Sequence, residues 1–252
     1  MLQKAEGLVI RTNDYAESNK ILTLYTREFG KIGVMARGAK KPKSRLVAVS
    51  QLFTYGTYLF QKSTGLGTLS QGDIIDSFKE VRNDLFRASY GSYIVELTDK
   101  LTEERQRNPF LFELLYQTIH YLNEGIDAEV LTRIFEVKML AVAGIKPEMD
   151  ACVSCGSTDI PAAFSIKEAG FHCKRCLHRD EHSIRVTEQI AKLLRLFYYF
   201  DLNRLGQISL KPETKAILKQ ILHTYYDEYS GLRLKSRRFL EQFERWDLSD
   251  PE

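Results

Sequence analysis

Four cysteines are the residues of this chain whose spacing most constrains chemistry. Two residues separate Cys152 from Cys155 and Cys173 from Cys176, and 17 residues lie between the pairs. A two-residue interval lets a tight turn aim two thiolates at one ion, and two such knuckles complete a four-sulfur tetrahedron of the zinc type. Gly156, directly after Cys155, suits the reversed backbone of such a turn. The chain has no other cysteine. A four-thiolate shell leaves no open position, so the expected cofactor is a structural zinc ion rather than a catalytic one. His172, His178 and His182 lie beside the second pair and are expected to be solvated surface residues. The segment between the knuckles reads as poor in apolar residues, so the metal is expected to supply much of its folding free energy.

A second group of residues could do electrostatic chemistry. Arg37, Lys40, Lys41, Lys43 and Arg45 place five cations in nine residues. Gly38 and Pro42 argue against a regular helix there. Flexible cations on a loop can follow a phosphate backbone without reading bases. The formal net charge of +3 conceals this, because residues 1–80 carry 12 basic and 7 acidic side chains, and no acid occurs between Glu28 and Asp73. A local excess of this kind points to a polyanion. Base stacking is the usual companion of a basic groove, and Tyr15, Tyr25, Phe29, Phe53, Tyr55, Tyr58 and Phe60 supply rings nearby. Alternation along a strand sends some of these into a core, so none is singled out.

Other chemistries lack their residues. There is no GxxxxGK[ST] phosphate loop, no GxGxxG after a strand, no GxSxG elbow and no HExxH pair. The adjacent carboxylates Glu103–Glu104 and Asp180–Glu181 sit in polar surroundings and read as solvated. No nucleophile is assembled with a base, and the expectation is a binding protein, not an enzyme. Lys4, Glu6 and Arg11 interrupt any signal-like apolar stretch, and no run suits a bilayer, so a cytoplasmic protein without membrane contact is expected. Reduced thiols there also argue against disulfides.

The elements that must position these groups change in kind near residue 80. Before it, Gly7–Ile10, Lys20–Thr26, Ile32–Ala36, Leu52–Gln61 and Leu69–Phe78 read as five strands with short turns. That is a small closed barrel, and the irregular stretch 38–50 falls between the third and fourth strands, as in an OB-fold. After it, helical periodicity runs from Leu85 to Leu97, Phe110 to Leu122 and Val130 to Val142, then over Glu188–Leu202, Pro212–Tyr229 and Leu232–Trp246. The fold class is therefore α+β: a five-stranded OB-fold barrel over residues 1–80, then an α-helical domain over 81–252 with a four-cysteine zinc finger inserted at about 148–182. The final SDPE reads as frayed.

Residues 6–45 (EGLVIRTNDYAESNKILTLYTREFGKIGVMARGAKKPKSR) resemble the start of the bacterial recombination mediator family RecO. The barrel, the helical body and the CxxC…CxxC insert extend the likeness over nearly the whole chain. The resemblance implies binding to single- and double-stranded DNA and annealing of complementary strands. It implies work with RecR, and in many bacteria RecF, to load RecA onto DNA coated by single-strand-binding protein, whose acidic, apolar-ended C-terminal tail the family contacts. The family's setting is DNA repair at the nucleoid. Its basic motif falls on Arg37, Lys40, Lys41, Lys43 and Arg45. A tail-binding face would need cations beside apolar groups, as in Lys192, Arg195 and Phe197 or in Arg233, Lys235 and Arg238. Two other readings stay open: a zinc-ribbon transcription or RNA-binding factor, and a zinc-dependent hydrolase or deaminase, although the H-x-E before CxxC of the deaminases is absent.

Overall fold

A computed structural model describes residues 1–63 and 65–247, the last four by their backbone alone; the expected frayed end at 249–252 lies outside the described residues. The chain forms two compact units, Met1–Ile126 with Leu234–Glu252, and Asp127–Arg233.

The first unit is built on a barrel. β1 (Leu2–Tyr15), β2 (Asn19–Thr26), β3 (Gly30–Ala36), β4 (Tyr55–Gln61) and β5 (Gly67–Asp76) close in the order β1-β2-β3-β5-β4, with the short helix α1 (Leu46–Val49) between β3 and β4. This is the expected OB-fold arrangement. β1 is far longer than its apolar run because it serves two neighbours. Its first half pairs with β4 and its second half with β2, and the register shifts between Val9 and Arg11. The alternating side chains of β1, β2 and β3 fill the interior with Val9, Leu22, Leu24, Ile32 and Val34. Tyr58 joins them, its hydroxyl donating to the carbonyls of Val49 and Thr54 at 3.2 and 3.1 Å, so a buried polar group is satisfied. β3 meets β5 only at Val34–Gly67 and Met35–Thr68, in parallel.

The change from strands to helices falls between Asp76 and Lys79. The barrel's compact unit also takes in α2 (Lys79–Asn83), α3 (Leu85–Leu101), α4 (Pro109–Asn123) and α8 (Lys235–Asp247). Three cations of the barrel tie it to these helices. Arg27 lies 3.1 Å from Glu6 and 3.2 Å from Glu113, with its guanidinium over the Phe112 ring. Lys31 lies 3.2 Å from the buried Asp99 of α3, which Arg11 also reaches at 3.1 Å. Glu96 of α3 accepts from the free backbone N–H groups of Lys235 and Ser236 at the start of α8, capping that helix across a long sequence separation.

In the second unit α5 (Ala128–Val142), α6 (Glu188–Tyr199) and α7 (Pro212–Tyr229) accompany a four-stranded sheet ordered β6-β8-β7-β9, from β6 (Glu148–Cys152), β7 (Pro161–Ser165), β8 (Gly170–Cys173) and β9 (Ile184–Arg185). Asp127 and Thr187 cap α5 and α6 through their side-chain oxygens. Arg133 and Glu136, both fully buried on α5, pair at 2.8 Å. Among the described residues no helix is long and apolar enough to cross a membrane.

Gly30 is fixed by close approach and by its backbone conformation together. Gly30 opens β3 at φ +66°, and a Cβ there would lie 2.0 Å from the carbonyl oxygen of Gln106. Gly144 has a similar φ of +71° but open space around it. Gly30→Ala is therefore expected to cost more than Gly144→Ala, about 3 kcal/mol or more against about 1. Denaturant midpoints of the two variants check this, and equal losses would contradict it.

Candidate nucleic-acid interface and metal centre

The basic run leaves the barrel at the end of β3 as a chain of turns. Ala39 is buried in the barrel core and anchors it. Backbone groups pin it from outside: Lys40 N–H donates to Ser18 O, and Gly38 N–H to the side-chain oxygen of Asn19. Lys41 N–H to Gly38 O and Ser44 N–H to Lys41 O close successive turns. The backbone is thus held while the side chains of Arg37, Lys40, Lys41, Lys43 and Arg45 all stand exposed. One of the five has a partner the sequence did not announce. Lys40 Nζ lies 2.8 Å from Asp14 on β1 and holds that carboxyl below its usual range. Lys31, one of the 12 basic side chains of residues 1–80, does not add to this exposed set: it is bound to α3 and largely buried.

Of the seven rings near this loop, Tyr25, Phe53, Tyr55, Tyr58 and Phe60 are buried and Phe29 is half-buried. Tyr15 alone is exposed, at 51%. It ends β1 one residue after Asp14, so its side chain leaves the strand on the face opposite that carboxylate.

The four cysteine sulfurs converge within 4.8 Å of one another. Cys155 and Cys173 Sγ are 3.7 Å apart. In a tetrahedron with metal–sulfur bonds of about 2.3 Å the sulfurs stand about 3.8 Å apart, so the donor set fits a tetrahedral metal site. Gly156 follows Cys155 at φ +70°, the reversed turn expected of the first knuckle. Burial opposes ionisation of Cys152, but N–H groups of Cys173, Cys155 and Ser154 aimed at its sulfur outweigh it and bring the thiol down to about 6. Cys176 is pushed up to about 12, first by its sulfur neighbour Cys155 and then by burial. Four sulfurs so close cannot all ionise without a cation among them.

Three expectations about this region are overturned. His178 and His182 are exposed, but His172 is fully buried. Its Nε2 lies 3.1 Å from Ser154 Oγ and 3.0 Å from Glu168, while Ser154 donates to the same carboxylate at 2.6 Å. Both partners sit on one ring nitrogen, whereas a catalytic triad places serine and carboxylate on opposite nitrogens. The trio clamps the first knuckle and the β7–β8 turn to the strand that leads into the second knuckle. Asp180, expected to be solvated, is buried and accepts from Ser165 Oγ and His182 N–H. Nor is the segment between the knuckles poor in apolar contacts. Phe164 and Phe171 are fully buried edge to face, and Phe164 packs on Tyr225 of α7. The first tail-binding set is also corrected: Phe197 is buried and Arg195 is spent on the carbonyls of Met149 and Asp150, leaving Lys192 exposed. Arg233, Lys235 and Arg238 are all exposed.

The depressed thiol value fixes a sign. In the metal-free protein the stabilisation from the Cys152 thiolate is complete above the free-thiol range and is lost as pH falls through about 6. Metal binding should follow the same direction, because the ligands must be deprotonated. Chelation at neutral pH is expected to expose backbone amides of 148–185 to hydrogen exchange while residues 1–78 keep their protection. Loss of protection in the barrel as well would contradict this local role.

The comparisons with known proteins agree with this architecture. Residues 1–78 match the family model "Recombination protein O N terminal" and residues 82–238 match "Recombination protein O C terminal". The chain is 72% identical to DNA repair protein RecO of Halalkalibacterium halodurans over 250 residues, covering 99% of this chain and 98% of that protein. It is 56% identical to DNA repair protein RecO of Bacillus mycoides and of Bacillus cytotoxicus over 248 residues, covering 98% of this chain and all of each relative. With both halves of the chain matched in order and its relatives matched over nearly their full length, the chain belongs to the RecO family.

Proposed function

We propose that this protein acts in DNA repair as a recombination mediator, and that it works by electrostatics rather than covalent chemistry. The observation that carries the reading is the pinned loop on a closed barrel that presents Arg37, Lys40, Lys41, Lys43 and Arg45 to solvent. Such a loop neutralises phosphates of one or two strands, lowers their mutual repulsion and lets complementary strands pair. Its exposed cations suit both single- and double-stranded DNA, because phosphate contacts carry no sequence information.

The four-cysteine cluster takes zinc in this reading. Cys152, Cys155, Cys173 and Cys176 fill all four positions, so the ion supplies structure and no bound water for hydrolysis. The family resemblance adds partners: RecR, the C-terminal tail of single-strand-binding protein, and RecF and RecA in the loading reaction. The corrected placements favour the exposed Lys235 and Arg238 of α8, beside the exposed Phe239, over the α6 set for the tail. The site of action is the bacterial cytoplasm at the nucleoid.

Replacing Lys40, Lys41 and Lys43 together by Ala is expected to weaken binding to unrelated DNA sequences alike, by about 10- to 100-fold at low salt. The slope of log affinity against log salt should become shallower by up to about 2. Because Lys40 already has Asp14, its single replacement should matter least of the three. Fluorescence anisotropy across a salt series checks both points, and undiminished affinity in the triple variant would overturn the loop assignment.

A further inference from the structure

A second feature of the barrel lies toward the other end of β3 from the basic loop. Because β3 and β5 pair only at Val34–Gly67 and Met35–Thr68, the seam between the early part of β3 and the β4–β5 hairpin is open. The segment after α3 partly covers it: Glu104 bridges to Lys31, and Arg105 N–H donates to Lys31 O at 2.9 Å. A cavity of about 240 Å³ remains. Phe29 and Phe60, edge to face with centroids 6.0 Å apart, line it together with Ile32 and Gly33. Lys62, Arg105 and Arg107 stand at its rim, with Glu28 as the one acid among the lining residues and Gln3 at one side.

The rim is built rather than incidental. The Arg105 guanidinium holds the carbonyls of Ser63 and Gly65 in the β4–β5 connection, at 3.0 and 3.2 Å. Arg107 Nε donates to Arg27 O at 3.2 Å. Glu28 already accepts from Glu6 N–H at 3.0 Å, which directs part of its charge to the backbone. An apolar, aromatic floor under a net positive rim asks for a flat apolar group that carries negative charge nearby.

We infer that this seam cavity takes one unstacked base of a single DNA strand, with Phe29 as the stacking surface and Lys62 and Arg107 on the adjoining phosphates. The inference rests on the DNA-binding reading above and adds a base-dependent contact to its phosphate contacts. Two observations favour a nucleotide over an acidic peptide end. β3 itself connects the cavity to the basic loop, and its seven residues span about 20 Å, so one strand of a few nucleotides reaches both. Gln3 offers an amide donor and acceptor to a base edge, which an apolar peptide side chain would leave unused. A pocket that stacks without a fixed set of base contacts is sequence-tolerant, as pairing of arbitrary strands requires.

The test compares an oligothymidylate of about 12 nucleotides with an abasic strand of the same length and charge, bound to the full-length protein and to two variants. Gly33→Leu fills the cavity. A Cβ there meets only Leu66 Cδ1, at 3.0 Å, on an exposed side chain that can move. Lys62→Ala removes an exposed rim cation and leaves the apolar floor intact. The inference expects the native protein to prefer the base-bearing strand by about ten-fold, the order of one stacked base. Gly33→Leu should abolish that preference at an unchanged denaturation midpoint, and Lys62→Ala should weaken both strands alike. Equal binding of the two strands by the native protein overturns the base pocket and leaves the basic-loop reading standing. Failure to bind either strand overturns both. A short Asp-rich peptide ending in Phe that binds the native protein and is lost in Gly33→Leu, with no base preference, would reassign the cavity to a peptide.

Discussion

The parallel contact of two residue pairs between β3 and β5 governs what the barrel can present. Antiparallel ladders hold β1, β2, β3 and β4 in long register, and β5 lies antiparallel to β4. Closure depends on the remaining junction, where Val34 and Met35 meet Gly67 and Thr68. Beyond that junction in one direction the chain must leave the barrel, and it does so as the turn-rich basic loop anchored by Ala39. In the other direction the seam stays open, and the Glu104–Arg107 segment and the aromatic pair Phe29–Phe60 partly fill it. One short junction therefore sets both the positively charged outlet and the cavity of the same strand.

Charge in the first unit is divided between holding the fold and leaving it available. Arg11, Arg27 and Lys31 are committed to Asp99, Glu6 and Glu113. Partly buried pairs of this kind lose more when one partner is removed than exposed pairs do. The five loop cations face solvent, and Lys40 alone among them has an ion-pair partner among the described residues. The second unit shows a comparable division around the cysteines. The four sulfurs gather into one donor set of the size a single metal ion fills, while Phe164, Phe171 and Tyr225 give the same sheet an apolar contact made without an ion.

The readable parts of the sequence were those encoded locally. The two CxxC pairs announce a knuckle each, and the reversed backbone at Gly156 follows from its neighbour. The five barrel strands and the six longer helices emerged from periodicity and caps to within a few residues, except β1, whose polar flanks hid a strand that serves two partners, whereas the four short strands β6–β9 around the cysteines carried no alternation long enough to read. Long-range pairings decided what was missed. The histidine beside Cys173 reads as surface until Ser154 and Glu168 are brought to its ring. Lys31 reads as part of a basic field until α3 delivers Asp99. Arg105 and Arg107 carry no local signal for a barrel cavity, because they lie some 70 residues after the strand whose seam they cover.

The central claim is that the barrel pairs nucleic-acid strands by neutralising their phosphates. The most direct measurement is annealing of two complementary single strands, bare and coated with single-strand-binding protein, over a salt series and without nucleotide. The account predicts annealing that needs no ATP, slows steeply as salt rises and persists on coated strands. Absence of annealing, together with tight binding to one particular duplex sequence, would contradict it and favour a sequence-reading factor.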